Sequence, residues 1–257
     1  SAPERSGEGW LIEVLDDQTA RVYGFSYPAA NAAGDQLWLL GTGVISGDGI
    51  AVEQMYSMRG GDFGTRFSSD QVSFVPWGRV HMVFGDCGSA RLRFEGPDGY
   101  GYGSGERQLV QLLHLGNQQC DATDDDDGGP GGLSGSWYDP AQPGQGLVIN
   151  ARGDGLSTLT FFSYAPDSGE PVWLYGQGSV DERGHMRFEA IARPNGARFD
   201  AFDPGAVDRA AWGEIEIDFS DCDNAVLRYR GDQPDYGEGT LTLARLTQPI
   251  GLGECGL

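Results

Sequence analysis

The chain contains no lysine. All 17 of its bases are arginine, set against 38 acids, for a net charge of −21 over 257 residues. That balance excludes the cationic footprint that DNA, RNA or an anionic membrane surface requires. Long apolar runs are absent too. No stretch of 18 apolar residues occurs, so the sequence predicts no transmembrane helix and no membrane insertion. Helical spacing of apolar residues is not sustained anywhere, so almost no helix is expected. There are only three histidines, and no C-x-x-C pair of the kind that holds zinc or does redox chemistry. Gly-rich stretches such as 96–105 lack a following helix and a lysine, and so are hairpin tips rather than phosphate loops.

What is present is a duplication. Phe84-Gly85-Asp86-Cys87 returns as Phe219-Ser220-Asp221-Cys222, and a second cysteine follows each after the same interval, 120 − 87 = 33 and 255 − 222 = 33. Two intra-unit disulfides, Cys87–Cys120 and Cys222–Cys255, are expected, each worth about 3–4 kcal/mol on a loop-entropy account. They imply an oxidising compartment: secreted, extracellular or periplasmic. A start at Ser1 rather than Met is what removal or omission of a leader would leave.

The predicted domains are 1–120 and 133–257, joined by an acidic Gly-rich linker, 121–132, whose five aspartates and four glycines should stay extended. Glycine is 42 of 257 residues. It clusters with Asp, Asn and Pro every eight to twelve residues between β-branched and aromatic runs, which is an all-β signal. The expected fold is two tandem antiparallel meanders, each a seven- to eight-stranded barrel or sandwich. The first unit's strands are placed at 9–15, 20–27, 36–45, 50–55, 77–84, 90–94 and 108–115. Those of the second are placed at 146–151, 158–164, 172–180, 185–191, 212–219, 225–229 and 240–246. One element is unmatched. The second unit opens with Gly135-Ser136-Trp137-Tyr138-Asp139-Pro140, whereas the first offers only Pro3 as a counterpart, so either the first unit lacks an opening strand and carries an open sheet edge, or a processing boundary falls there.

No catalytic site emerges. His81 aligns with Glu216, His114 with Gln248 and His185 with Ile50, which excludes a histidine site common to both units. Asp86 and Asp221 match, but each precedes a turn whose amides such a residue caps. The run from Asp121 fails the calcium-loop pattern at Thr123 and Ser134, leaving weak calcium binding to Asp/Gly turns such as Asp232–Asp235; no other cofactor or metal is implied. The candidate ligand-binding set is aromatic with arginine: Tyr27, Trp38, Arg66 and Trp77, echoed by Tyr164, Trp173, Arg198 and Trp212. Gly64-Thr65-Arg66-Phe67 is paired with Gly196-Ala197-Arg198-Phe199. Rings with a planar cation suit a sugar, a carboxylate or an apolar small molecule.

Gly135-Ser136-Trp137-Tyr138 at the head of a meander resembles the G-x-W opening of the lipocalin and avidin superfamily, which implies an up-and-down barrel. The wider pattern is similar to a repeat of secreted bacterial proteins of uncharacterised function. It comprises Trp137-Tyr138-Asp139-Pro140, Pro143-Gly144-Gln145-Gly146, Trp173 to Gly178, Gly196 to Phe199 and Phe219 to Cys222. This likeness implies export and carries no catalytic residue. Three functions follow as expectations: a non-catalytic binder of a small molecule or glycan, a structural subunit that self-assembles by strand addition, and, last, a hydrolase using carboxylates in one unit.

Overall fold

The computed structural model describes residues 1–86, 88–113, 130–152, 154–166, 168–181 and 183–257. The fold is all-β. In the first unit β1 (Gly9–Val14), β2 (Thr19–Ser26), β3 (Leu37–Ser46), β4 (Gly49–Arg59), β5 (Ser73–Asp86), β6 (Ser89–Glu95) and β7 (Ser104–Val110) form one sheet in sequence order. In the second, β8 (Gly135–Tyr138), β9 (Gly146–Ala151), β10 (Leu156–Tyr164), β11 (Pro171–Val180), β12 (His185–Asn195), β13 (Asp208–Phe219), β14 (Asn224–Gly231) and β15 (Glu238–Arg245) form a closed barrel. Closure is made by β8, which pairs with β9 on one side and β15 on the other. Among the described residues the first unit has no equivalent strand, and its sheet is open between β1 and β7.

Alternation sets which side chains go inside. Ile215, Ile217 and Phe219 face the barrel core, while Glu214, Glu216 and Asp218 between them stay partly exposed. The Cys222–Cys255 disulfide, with Cα atoms 5.6 Å apart, ties the β13–β14 turn to the C-terminal tail. The expected Cys87–Cys120 bond lies outside the described residues, as do His114 and linker residues 121–129.

Three expectations are corrected. Residues 130–132, assigned to the extended linker, belong to a 3₁₀ turn at Pro130–Leu133 with Gly131, Gly132 and Leu133 buried, Leu133 within the barrel core. Strands β4, β5 and β12 run further than expected. They continue as ribbons across bulges, pairing Met58 with Phe74 and Asn195 with Asp208. Pro76 and Pro194 masked these extensions, because proline is tolerated in strands only at edges and bulges. The last strand of the first unit spans Ser104–Val110 rather than 108–115.

The two units share an aromatic seam. Tyr23, Tyr27, Trp38, Met58 and Phe67 of the first pack with Val148, Phe162, Tyr164, Trp173 and Ala197 of the second. The contacts are reciprocal. Trp38 Nε1 donates to Ser163 O at 3.0 Å, and Trp173 Nε1 donates to Ser26 O at 3.0 Å. Tyr27 meets Trp173 at 6.1 Å, and Tyr164 meets Trp38 at 6.1 Å. Tyr27 caps Gly7 O as Tyr164 caps Gly144 O. The copies are thus related across the seam by an approximate two-fold axis.

Candidate functional site

Each unit plugs the interior of the other. The β4–β5 connection carries Phe63 into the second barrel, where it lies 5.6 Å from Phe161, 5.3 Å from Trp212, 5.3 Å from Tyr229 and 4.9 Å from Tyr236. The β12–β13 connection carries Phe199 into the first sheet's concave face, 5.9 Å from Trp77, 5.2 Å from Phe94 and 5.2 Å from Tyr102. Phe63 is 1% exposed and Phe199 4%.

This geometry revises the pairing of the two loops. Gly60 (φ +96°) and Gly196 (φ +94°) are equivalent: a Cβ would meet Gln71 O at 2.2 Å in one and Ala206 O at 2.3 Å in the other, so only glycine fits. Phe63 therefore answers Phe199, and Phe67, which stacks on Tyr164, answers Phe202, which packs on Tyr27. The shared G-x-R-F letters had aligned Phe67 with Phe199, four residues out of place. Arg66 and Arg198 are not equivalent. Arg66 donates to Asp62 and to Asp235 O, and Arg198 to Gly34 O. Strand register likewise places His185 opposite Asp218 and Gly49 opposite Val83, so the position matching His185 is Gly49, not Ile50.

The other candidate residues fall into two groups. Tyr27, Trp38, Tyr164 and Trp173 are buried in the seam, while Trp77 and Trp212 lie at the mouths beneath Phe199 and Phe63. The Nε1 atoms of Trp77 and Trp212 are both buried and, among the described residues, without a hydrogen-bond partner.

Titratable groups outside the seam act locally. Asp86 accepts from Gly88 N, and Asp221 accepts from Asp223 N and Asn224 Nδ2. A bond from the Ser89 side chain at Asp86 and the Asp223 amide at Asp221 lead the contacts that hold both carboxyls below their ordinary range. His185 Nδ1 lies 2.7 Å from Asp218, which also pairs with Arg228. His81 lines a groove of about 390 Å³ on the outer face of β4–β6 with Arg79, Arg93, Glu53 and Glu95. Among the described residues no three His, Cys, Asp or Glu side chains converge on a metal position. No helix among them is long and apolar enough to cross a membrane.

Two buried charge clusters mark where the copies differ. Arg107 stands where the second barrel has Leu241, by the registers Leu92↔Arg107 and Leu227↔Leu241. It pairs with Glu8 at 2.5 Å and lies over Phe199 at 4.4 Å, while Arg5 shares Glu8. Glu13 stands where the second unit has Asn150. Its Oε2 accepts from Ser136 Oγ at 2.7 Å and Thr247 Oγ1 at 3.0 Å, and its buried Oε1 has no partner among the described residues. Burial pushes the Glu13 carboxyl above its ordinary value, against those two hydrogen bonds and the Arg21 charge.

The candidate ligand positions are the paired Trp77 and Trp212 beneath the two plugs. The edge strand β7 of the first unit meets Ser1. Ser1 and Val110 exchange two backbone hydrogen bonds, Ser1 N to Val110 O at 2.9 Å and Val110 N to Ser1 O at 2.8 Å. Val110 answers Ala244, and the partner of Ala244 is Tyr138. Ser1 therefore sits at the position of Tyr138, the last residue of β8. The three positions matching Gly135, Ser136 and Trp137 would fall before Ser1. Phe219 is 8% exposed beside Trp137, but its counterpart Phe84 is 36% exposed. Leu147 and Ile149 are buried, whereas Trp10 and Ile12 are only half-buried.

The chain matches no protein-family model and no curated protein. The signal for the open edge was present in the unmatched Gly135–Pro140 segment. The crossing of Phe63 and Phe199 had no such signal, because nothing local tells a loop which barrel it will enter.

Proposed function

We propose that the protein is a secreted, non-catalytic binding protein for a small molecule or glycan, taken up in the aromatic interior around Trp77 and Trp212. One observation carries this reading: the Nε1 atoms of Trp77 and Trp212, in equivalent places, are buried and without a hydrogen-bond partner among the described residues. An acceptor on a ligand would satisfy them. Phe199 and Phe63 occupy the space such a ligand needs, so binding requires the plugs to withdraw. The disulfide supports an oxidising compartment. A thermal-shift screen over glycans and metabolites tests the reading, and no shift from any member removes it.

A further inference from the structure

The two mouths share an aromatic frame and differ in charge, so the class of ligand at the first follows if the ligand-uptake reading above holds. The plug Phe63 meets Tyr229 and Tyr236, and the plug Phe199 meets their counterparts Phe94 and Tyr102. The polar groups beside them are matched in place as well. Ser26 Oγ donates to Glu8 as Ser163 Oγ donates to Gln145, so Glu8 stands where the second unit has Gln145. Arg5, three residues earlier, stands where the second unit has Gln142. At the second mouth this set is neutral. Gln145 Nε2 donates to Gln142 Oε1 at 2.8 Å and to Gly64 O at 2.9 Å, and buried Leu241 completes the wall. At the first mouth it is charged. Glu8 is shared by Arg5 and Arg107, and Arg107 has the place of Leu241.

Two guanidinium groups against one carboxylate leave an excess positive charge beside the plug. The Arg107 Cζ lies 4.4 Å from the centre of the Phe199 ring and 4.8 Å from that of Phe94. The Arg5 Cζ lies 5.6 Å from Phe199, and Arg5 Nη2 donates to Phe199 O at 2.9 Å. A guanidinium has five N–H donors. Among the described residues the Arg107 side chain makes one hydrogen bond, from Nη1 to Glu8. Burial lowers the Arg107 pKa from its ordinary value, against the Glu8 charge. A second anion beside this group would offset that cost. The Phe63 ring is instead surrounded by Phe161, Trp212, Tyr229 and Tyr236.

We infer that the first unit takes a ring bearing a carboxylate, seated where the Phe199 ring now lies. The ring takes over the contacts of Phe199 with Trp77, Phe94 and Tyr102, and the Arg107 donors that Glu8 leaves open pair with the carboxylate. A uronic acid of a glycan and a free aromatic acid share this chemistry.

Titration calorimetry of the full chain with two matched pairs tests the assignment: trigalacturonate beside its methyl ester, and benzoate beside benzamide. In at least one pair the acid should bind saturably and at least about tenfold more tightly than its neutral partner, as expected of a buried charge-assisted pair. The pair that responds tells a glycan source from a free aromatic acid. Arg107→Leu, which installs the residue of the second barrel, should bring the acid down to the level of its neutral partner. Should that variant fail to fold, Arg107→Lys, which keeps the charge and loses the planar fork, should cut the preference. An undiminished preference in whichever variant folds places the ligand elsewhere and overturns the assignment. Equal binding of acid and neutral forms leaves ligand uptake standing and overturns the acidic class. No binding of any of the four overturns the acidic class too, and only an empty thermal-shift screen overturns ligand uptake with it.

Discussion

Replacing Phe63 with Ala should destabilise the unit to which Phe63 does not belong. The side chain is 1% exposed and surrounded by Phe161, Trp212, Tyr229 and Tyr236, all of the second barrel. Truncating a buried phenylalanine costs about 3–5 kcal/mol, and the rigid aromatic walls leave little room for collapse. At tenfold per about 1.4 kcal/mol, amides that exchange through opening of the second barrel should speed up by roughly two to three and a half orders of magnitude. Hydrogen exchange resolved by strand reads this directly. The acceleration should centre on β10, β13 and β14, with β2 and β6 of the first unit changing less. Phe199→Ala should give the mirror result, centred on β5 and β6 around Trp77 and Phe94. Phe74→Ala is the control: it lies on β5, is 62% exposed, and should be near neutral. Acceleration confined to β4 and β5 after Phe63→Ala would refute the reciprocal plug.

Glu13→Gln should change the pH dependence of stability. The folded carboxyl titrates above its unfolded value of about 4.5, so Glu13 contributes most below that pH and the contribution is lost as pH rises through the folded pKa. Urea denaturation at rising pH above about 4.5 should show the native chain losing stability that the Gln variant keeps; parallel curves would sink the assignment. Changing Cys222 and Cys255 to Ala should cost about 3–4 kcal/mol for a closed loop whose ends are 33 residues apart, read as a lower melting temperature in the second barrel. Trp38→Phe and Trp173→Phe each remove one buried donor to a carbonyl across the seam. Each should cost about 1–3 kcal/mol, and by similar amounts, in chemical denaturation; strongly unequal losses would contradict the two-fold relation.

The architecture was legible where local chemistry determines it. Short alternating runs between glycine clusters located the strands, though not all their ends. The unmatched Gly135–Tyr138 segment announced the open sheet of the first unit. Long-range choices were not legible. Trp38 and Trp173 look like ligand rings in sequence because a seam between units needs the same aromatic surface as a binding site. Arg66 and Arg198 share a motif, yet their loops are offset by four residues, and only the paired glycines Gly60 and Gly196 reveal it. Residues 130–132 read as linker because their glycines follow an acidic run; burial of Gly132 against the tail at Gly253 and Cys255 is a tertiary fact.

The seam has the form of an isologous homodimer interface, in which one patch serves both partners. In a true homodimer every substitution in that patch appears twice, so a change that helps one side must be tolerated on the other. Carrying both copies in one chain removes that constraint. Glu13 can be charged while Asn150 is neutral, and Arg107 can replace an aliphatic residue while Leu241 remains. Each side of the seam can therefore be fitted to its own neighbours, one with a buried carboxylate and the other with an amide.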